Sequence, residues 1–327
     1  MYQPGGIGGN GERKRDDLVR RFTPMIIKKG NIMKNITARQ YQILADHMRI
    51  YQFMIDIYEK DWRNGVPAPF LEYALSSEWM DKSYTHRNRI WEDNGQIVAF
   101  CFTESPVTDI YFSLRPGYEE LAPEMIAYAD AHMPRIDGHL RFVLFQGQAA
   151  LMDAARKAGY TQTGSYTDMI YEFDKPLDFP LPEGYHFVEP GKCIIEKIQE
   201  CCWKGFNHEA EEGPWHGNAE GGYHLCQAPH ATMQYPVAIE DETGEYVCYA
   251  GMWWTPKNHL AYMEPLCTVP QHRRKGLAAA ALSELYRRME PLGATHMTGG
   301  ANPFYAKIGY KPMITWTFWQ NRERGNV

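Results

Sequence analysis

The chain has 327 residues, of which 44% are hydrophobic and 23% are charged, and its formal net charge is −6. That length and composition fit two folded domains and exclude a disordered protein, while the negative charge argues against a nucleic-acid partner. The longest apolar stretches are only as long as strands and the N-terminus lacks the apolar core of a secretory signal, so we expect no membrane partner and a cytoplasmic protein.

A flexible basic tail is predicted for residues 1–34. Its glycines at positions 6, 8 and 11 spell Gly-x-Gly-x-x-Gly, but five residues precede the first of them, too few for the strand that a dinucleotide site requires. Lysine and arginine residues cluster between Arg13 and Lys29. A solvated arm explains this cluster better than a nucleic-acid contact, because the chain as a whole is acidic.

An amphipathic helix is predicted after the tail. Aromatic and apolar residues recur there at spacings of three and four, behind Thr37 as a cap: Tyr41, Leu44, Ala45, Met48, Tyr51, Ile55 and Tyr58. An aromatic stripe of this kind is typical of a core, so we expect this face of the helix to be buried.

The chain repeats a set of landmarks at a spacing of about 150 residues. Asn94-Gly95 and Thr243-Gly244 each separate two strand-like runs, which predicts two hairpins. Pro116 and Pro270 each end an apolar strand that precedes a helical stretch. A fold that occurs twice in the chain explains these landmarks.

A third landmark sets the bounds of the two copies. The sequence Lys-x-Gly-Tyr ends at Tyr160 and again at Tyr310. We therefore expect one domain at 35–174 and a second at 185–327. The proline-rich segment 175–184 between them is the predicted linker.

An acidic stretch in the second half is the predicted substrate side. No lysine or arginine occurs from Gly205 to Pro256. Its loop-like part holds four glutamates and two aromatic residues, Glu209, Glu211, Glu212, Glu220, Trp215 and Tyr223, and Trp203 stands just before it. An acidic, aromatic opening favours a cationic amine as the ligand, and a soluble loop without a ligand is the alternative.

A strand, a basic turn and a helix follow one another between Leu266 and Met289. Apolar residues recur at helical spacing after Gly276, and Pro291 with Gly293 ends the run. The N–H groups at a helix start are unpaired and carry partial positive charge, and a glycine lets an anion approach the main chain. This turn is therefore a predicted pyrophosphate site.

The turn, spelled Arg-x-x-Gly-x-Ala from Arg273 to Ala278, resembles the acetyl-CoA loop of the GNAT acyltransferase superfamily. About thirty residues later, 302–310 resembles the superfamily's closing element, in which a tyrosine stands four residues before Gly-Phe or Gly-Tyr. The two motifs in this order identify the chain as a relative of that superfamily.

The resemblance implies an α/β fold of two tandem GNAT-like domains, each with a mixed, mostly antiparallel central sheet flanked by helices. The first domain has lost the motif residues. Glu119 and Ala122 stand where Arg273 and Gly276 stand in the second, and a carboxylate there would face a phosphate. Ala155 and Met152 likewise replace Tyr305 and Asn302. The first domain is thus expected to be a degenerate scaffold or pocket wall, and the second to bind acetyl-CoA.

The resemblance also assigns roles to individual residues. Backbone groups of Cys267, Thr268 and Val269 would hold the pantetheine arm, and the other cofactor contacts would come from Arg273, Arg274, Lys275, Gly276, Leu277, Ala278, Ala279 and Asn302. Asn302 stands three residues before Tyr305, where common family members have a gap of about seven. Tyr305 is the expected general acid and Glu264 the expected general base. His208, Glu209 and Trp215 are expected to bind substrate.

These residues predict an N-acetyltransferase that moves acetyl from acetyl-CoA directly to a primary amine on a small, cationic molecule. Two alternatives remain open: an acyl-CoA sensor or interaction module without turnover, and an aminoacyl transferase, which the basic turn and the acidic balance disfavour. His208 and His216 are alternative bases. The seven cysteines form no Cys-x-x-Cys pair and the histidines have no compact ligand spacing, so neither disulfides nor a metal is expected.

Overall fold

A computed structural model of the chain describes residues 25–29 and 32–321. The glycine-rich part of the predicted tail and most of its basic cluster lie outside the described residues. Strand β1 (Met25–Lys29) pairs in antiparallel fashion with β2 (Ile32–Gln40), so strand structure begins before residue 35.

The first half continues as a run of helices and strands: α1 (Ile43–Ile57), α2 (Ala68–Ser76), β3 (Arg89–Asp93), β4 (Gln96–Thr103), β5 (Asp109–Leu114), α3 (Ala122–His132), β6 (Arg141–Phe145), α4 (Ala149–Lys157) and β7 (Thr161–Glu172). The hairpin at Asn94-Gly95 is confirmed, since β3 and β4 pair in antiparallel fashion around it. Both turn residues have positive φ, which suits an Asn-Gly hairpin turn.

The prediction for α1 was wrong in two respects. Thr37 lies inside β2 and caps nothing, because the strand runs on to Gln40 and the helix begins at Ile43. Tyr51 and Ile55 are buried as predicted, but Leu44 is 96% exposed, and the buried face also includes Ile50 and Met54, which the predicted stripe left out. A buried carboxylate fixes this rotation: Asp46 is 1% exposed, and the Arg39 guanidinium donates to it at 2.6 Å. The periodicity alone did not show this ion pair.

The second half has a similar run: β8 (Tyr185–Phe187), α5 (Ile195–Gly205), α6 (His208–Glu212), α7 (Glu220–Cys226), β9 (Val237–Asp241), β10 (Tyr246–Ala250), β11 (Trp253–Thr255), β12 (Leu260–Tyr262), β13 (Leu266–Thr268), α8 (Leu277–Met289), β14 (His296–Thr298), α9 (Pro303–Lys307) and β15 (Lys311–Gln320). The hairpin at Thr243-Gly244 and the helix after Gly276 are both confirmed.

The strands form two sheets. The long sheet has 11 strands in the order β1-β2-β3-β4-β5-β6-β15-β7-β14-β12-β11, and the short sheet has four in the order β13-β10-β9-β8. Only β5 with β6 and β12 with β14 pair in parallel among the described strands. The predicted mixed, mostly antiparallel architecture with flanking helices is therefore confirmed.

The two halves exchange their last strands. By the repeat, β7 should return beside β6 and β15 beside β14. Instead β15 pairs with β6, and β7 pairs with β14, while β7 and β15 pair with each other along most of their length. The exchange makes the long sheet continuous across both halves and brings side chains of β7 into the second half.

The core also crosses between the halves. One buried cluster joins Ile50 and Met54 of α1 to Trp253, Tyr262 and Trp316 of the second half. Burial on this scale holds the halves against each other, because buried apolar area is the main favourable contribution to folding. No helix within 25–29 and 32–321 is both long enough and apolar enough to cross a bilayer.

Candidate active site

The chain passes from one sheet to the other between β12 and β13, and this change of sheet leaves an opening in the second half. β12 belongs to the long sheet beside β14, whereas β13 pairs with β10 in the short sheet. The chain passes between the sheets at Glu264 and Pro265. There it crosses so close to Gly251 that a Cβ on this residue would overlap the Glu264 carbonyl oxygen, so only glycine fits.

The edge of β13 at this opening suits an extended ligand. β13 is the last strand of the short sheet, and an edge strand leaves one row of backbone N–H and C=O groups without a strand partner. Cys267, Thr268 and Val269, predicted to hold the cofactor through their backbone, are on or directly after it. The Cys267 side chain points toward α5, with its Sγ 3.9 Å from the Sγ atoms of Cys201 and Cys202.

The turn before α8 has the geometry of an anion site. Gly276 has φ +90°, a conformation that strains other residues, and the first bond of the helix runs from the Ala280 N–H to the Gly276 carbonyl at 3.0 Å. The N–H groups of Leu277, Ala278 and Ala279 therefore have no acceptor inside the helix. They lie at the positive end of its dipole, where an anion is stabilised.

The three basic residues of the turn have different surroundings. Arg274 is exposed, and Lys275 Nζ donates to the Tyr185 hydroxyl at 3.0 Å. Arg273 bonds within the protein: it donates to the carbonyl oxygens of Thr268 at 3.0 Å and Gly205 at 2.8 Å. Arg273 thus ties the turn to β13 and α5, a positioning contact that the sequence did not predict.

Glu264 lies between β12 and β13, where the chain changes sheets, among apolar neighbours. Burial raises the pKa of Glu264, and the nearby Asp168 carboxylate raises it further, although the Tyr262 hydroxyl opposes both by donating to Oε2 at 2.5 Å. A carboxylate with a raised pKa is a better base near neutrality than an exposed one.

Tyr305 is carried by the short helix α9 and is 9% exposed. Burial raises the pKa of Tyr305, and the carboxylates of Glu264 and Asp168 act in the same direction, so the phenol keeps its proton and remains a donor. Asn302 caps this helix by accepting a bond from the Phe304 N–H at 2.9 Å. Its oxygen therefore holds Tyr305 in place, a role different from the predicted contact with the cofactor.

A cavity of about 220 Å³ opens beside Glu264. Both halves line it with aromatic side chains: Tyr73 and Trp79 from the first half, and Trp203, Trp215 and Trp253 from the second. His208, predicted to bind substrate along with Trp215, also lines it, whereas Glu209 is exposed and outside the lining.

The acidic residues expected around the substrate lie elsewhere. Glu211, Glu212 and Glu220 are exposed, and Glu264 is the one carboxylate among the lining residues of this described cavity. The reason is local: α6 is a short surface helix whose glutamates point to solvent. The charge argument for a cationic ligand therefore applies to Glu264 alone.

Comparisons with known proteins agree with this geometry. The acetyltransferase (GNAT) family model matches residues 195–310, from α5 to the end of the closing element. The part of the chain that carries this site is therefore a GNAT-family domain. A comparison with curated proteins found no match. The GNAT fold supports acyl transfer, and acyl-CoA is the cosubstrate that the family uses.

Solved structures show that the likeness in fold extends over both halves of the chain. A GCN5-related N-acetyltransferase from Sphaerobacter thermophilus is 14% identical, with a TM-score of 0.55 over 87% of this chain and 94% of its own. A tandem GNAT protein from the clavulanic acid biosynthesis pathway is 13% identical, with a TM-score of 0.55 over 87% of this chain and 98% of its own.

A third similar structure comes from another group of proteins. The C-terminal domain of a candidate lysylphosphatidylglycerol synthetase from Agrobacterium fabrum is 10% identical, with a TM-score of 0.53 over 86% of this chain and 93% of its own. At these identities the likeness concerns the fold alone, and the two GNAT-like halves are the feature that it supports.

The sequence analysis did not identify two carboxylates that lie near the candidate active site. Burial raises the pKa of Asp168 to about 6, and burial together with the charges of Glu264 and Asp109 raises the pKa of Glu104 to about 7. Asp168 is held by the Trp316 Nε1, which donates to it at 2.7 Å. Both come from the first half and reach the site through strand exchange and domain contact, which no local motif signals.

Proposed function

We propose that the chain transfers an acetyl group from acetyl-CoA to a primary amine on a small molecule. The observation that carries the proposal is the position of Glu264. It lies where the chain leaves the long sheet between β12 and β13, lines the cavity, and is followed directly by the strand and turn that suit pantetheine and pyrophosphate. Acceptor and donor would therefore meet at this carboxylate.

The proposed reaction is a direct transfer. Glu264 accepts a proton from the ammonium form of the acceptor, and the neutral nitrogen attacks the thioester carbonyl. The N–C bond forms and the C–S bond breaks, while the Tyr305 hydroxyl donates its proton to the departing thiolate. Backbone N–H groups on the edge of β13 would stabilise the developing oxyanion. Glu264 releases the first proton to solvent and accepts a second from the nitrogen as the C–S bond breaks, and this second proton restores Tyr305 through solvent.

The turn before α8 supports a CoA thioester as the donor. Its unpaired N–H groups, the exposed Arg274 and the glycine at positive φ suit a pyrophosphate, which an acyl-CoA has and an aminoacyl-tRNA ester lacks. Arg273 steadies the turn through its bonds to Thr268 and Gly205. This chemistry favours acetyl transfer over the aminoacyl alternative.

Incubation of the full chain with acetyl-CoA and a panel of small amines tests the proposal. We expect thiol release that depends on the amine, together with an amine product heavier by one acetyl group in mass spectrometry. Saturable binding of acetyl-CoA without transfer to any amine would favour the sensor alternative. Transfer from aminoacyl-tRNA, with no use of acetyl-CoA, would favour the aminoacyl transferase.

A further inference from the structure

We infer that the acceptor carries its amine on a flat aromatic body and has no second charged group. This inference rests on the proposed function, since it names the amine that Glu264 would deprotonate. The inference rests on the lining of the cavity, which contains two groups of aromatic side chains as well as the Glu264 carboxylate. We call these two groups the first and the second wall.

The first wall belongs to the second half. Trp203 lies in the last turn of α5, and Trp215 lies in the segment between α6 and α7. Their rings meet edge to face with centroids 5.7 Å apart and planes at 60°. The Trp203 Nε1 donates to the Gly213 carbonyl at 3.0 Å, which holds this segment over the cavity.

The second wall combines both halves. Tyr73 of α2 lies 5.9 Å from Trp79 and 6.0 Å from Trp253 between ring centroids. Unlike Trp91, which is fully buried in the core, Trp79 is 50% exposed. Tyr73, Trp203 and Trp215 are also only partly buried, so ring surface remains open to a ligand. Aromatic rings bind one another through offset stacking or edge-to-face contacts, and a flat ring can make such contacts with both walls.

The charges around the cavity select against other amines. No lysine or arginine is among its lining residues, so a carboxylate or phosphate on the acceptor would be buried without a cation. Glu264 is the one lining carboxylate, so a second ammonium group would have no ion-pair partner there. Aromatic rings do attract cations, and a diamine is therefore a necessary competitor in the test.

The size of the cavity sets a further limit. A site for one water needs about 10–15 Å³ in the same measure, so the volume of about 220 Å³ has room for many waters. One or two fused rings with a short side chain fit that space.

Four amines test the inference: 2-phenylethylamine, its saturated counterpart 2-cyclohexylethylamine, phenylalanine, which adds a carboxylate, and 1,4-diaminobutane, which has no ring and carries a second amine. We expect kcat/KM for 2-phenylethylamine to exceed each of the others by about tenfold or more, because the aromatic contacts of two walls are involved. Equal or better use of any of the other three would overturn the inference.

Variants of one tryptophan per wall locate the effect. We expect Trp215→Leu and Trp79→Leu each to raise KM for 2-phenylethylamine by about fivefold to tenfold and to narrow its advantage over 2-cyclohexylethylamine. Trp254→Leu is the matched control, because neighbouring residues of a strand point to opposite faces and Trp254 packs against the α8 side of the sheet. If the two wall variants leave KM for 2-phenylethylamine unchanged, or if Trp254→Leu raises it as much as they do, the rings do not select the acceptor.

Calorimetry on the CoA-bound protein separates this inference from the proposed function. Binding of 2-phenylethylamine that Trp215→Leu weakens, without acetylation of any amine, would retain the ligand class and reject the reaction. Faster acetylation of the saturated amine or the diamine would retain the reaction and reject the ligand class. Neither binding nor acetylation of any of the four amines would overturn both.

Discussion

The two halves open their sheets at equivalent places, but the opening of the first half is bridged by hydrogen bonds and keeps a smaller cavity, of about 130 Å³ against about 220 Å³. In the first half β5 and β6 pair over Asp109–Tyr111 and then diverge. The side chain of Gln148 bridges this gap: its Nε2 donates to the Phe112 carbonyl at 2.8 Å, and its Oε1 accepts from the Phe145 N–H at 3.0 Å. The Leu114 N–H is also taken, by the Asn64 carbonyl at 2.8 Å.

In the second half the Thr298 hydroxyl accepts from the Met263 N–H at 2.7 Å next to β12, but no side chain of the described residues hydrogen-bonds β13 to β14, and the turn keeps Gly276 at φ +90°. The equivalent turn of the first half uses its glutamate internally, since Glu119 accepts from the Gly117 N–H at 2.8 Å. We propose that the first half lost its cofactor site through such local changes, in one glutamine, one loop and one turn, while the sheet stayed intact.

The largest expected effect comes from Gly276→Asp. The carboxylate would lie at the N-terminus of α8 where the pyrophosphate is proposed to bind, so we expect Kd for acetyl-CoA to rise about 100-fold or more, roughly 2.7 kcal/mol. Calorimetry measures the affinity, and thermal melting checks that the fold persists. Gly117→Asp is the control, since Gly117 has φ +88° in the equivalent turn of the first half. Similar affinity in both variants would reject the pyrophosphate assignment.

Arg273→Glu is expected to act at the same turn by a second route. It removes the bonds to Thr268 and Gly205 and adds negative charge, so affinity for acetyl-CoA should fall to a similar extent. Arg273→Gln separates the two causes, because it loses the fork of bonds but adds no charge. Wild-type affinity in Arg273→Glu would show that the turn does not hold the cofactor.

The next effect concerns Glu264→Gln. The amide cannot accept the amine proton, so we expect kcat to fall about 100-fold and the acidic limb of the pH–rate profile to disappear. The variant keeps an acceptor for the Tyr262 hydroxyl. An unchanged acidic limb would assign the base to another group, with Asp168 and Glu104 as the first to examine.

The same substitution has a consequence for stability. The folded protein raises the pKa of Glu264, so between the unfolded value of about 4.3 and the higher folded value the folded state holds a proton that the unfolded state has lost. Stability contributed by this group therefore falls as pH rises through that window. We expect Glu264→Gln to melt at a higher temperature than wild type at neutral pH, and at a similar temperature below pH 4.

Tyr305→Phe is expected to have a smaller effect. A proton donated only as the thiolate leaves stabilises the transition state, so kcat should fall about tenfold or more, with little change in KM for acetyl-CoA. Tyr310→Phe is the matched control, because the buried Tyr310 hydroxyl has no hydrogen-bond partner among the described residues and its ring lies 5.0 Å from that of Tyr305. An unchanged kcat for Tyr305→Phe, where chemistry limits turnover, would remove it from the mechanism.

The sequence predicted what adjacent residues determine. The hairpins at Asn94-Gly95 and Thr243-Gly244, the turn at Gly276 and the helix after it follow from local turn and capping chemistry, and the structure has them. The buried face of α1 was predicted only in part, because the rotation of the helix depends on the bond from Arg39 of β2 to Asp46.

Contacts between residues far apart in the chain could not be predicted from the sequence. β7 and β15 hold the same position in the repeat, and either pairing satisfies their backbones, so nothing local predicts the exchange that brings Asp168 to the site. The aromatic cavity likewise combines residues from separate segments, such as Trp79 and Trp215. The sequence analysis inferred the loss of a cofactor site in the first half from replaced motif residues such as Glu119 and Ala122, and it did not anticipate the bond of Gln148 across the gap between β5 and β6.

The smallest expected effect on the cofactor comes from Gln148→Ala, which unplugs the first opening. Loss of this side chain leaves the Phe112 carbonyl and the Phe145 N–H without their buried partner, so stability should fall by about 1–3 kcal/mol in chemical denaturation. Acetyl-CoA binding should stay at one molecule per chain with unchanged Kd, since the first half still lacks a turn like that at Gly276. Gln146→Ala, at an exposed position two residues earlier, should change neither quantity. Two sites per chain by calorimetry, in wild type or in Gln148→Ala, would show that the first half keeps a cofactor site, and the contrast between the two openings would then be one of affinity alone.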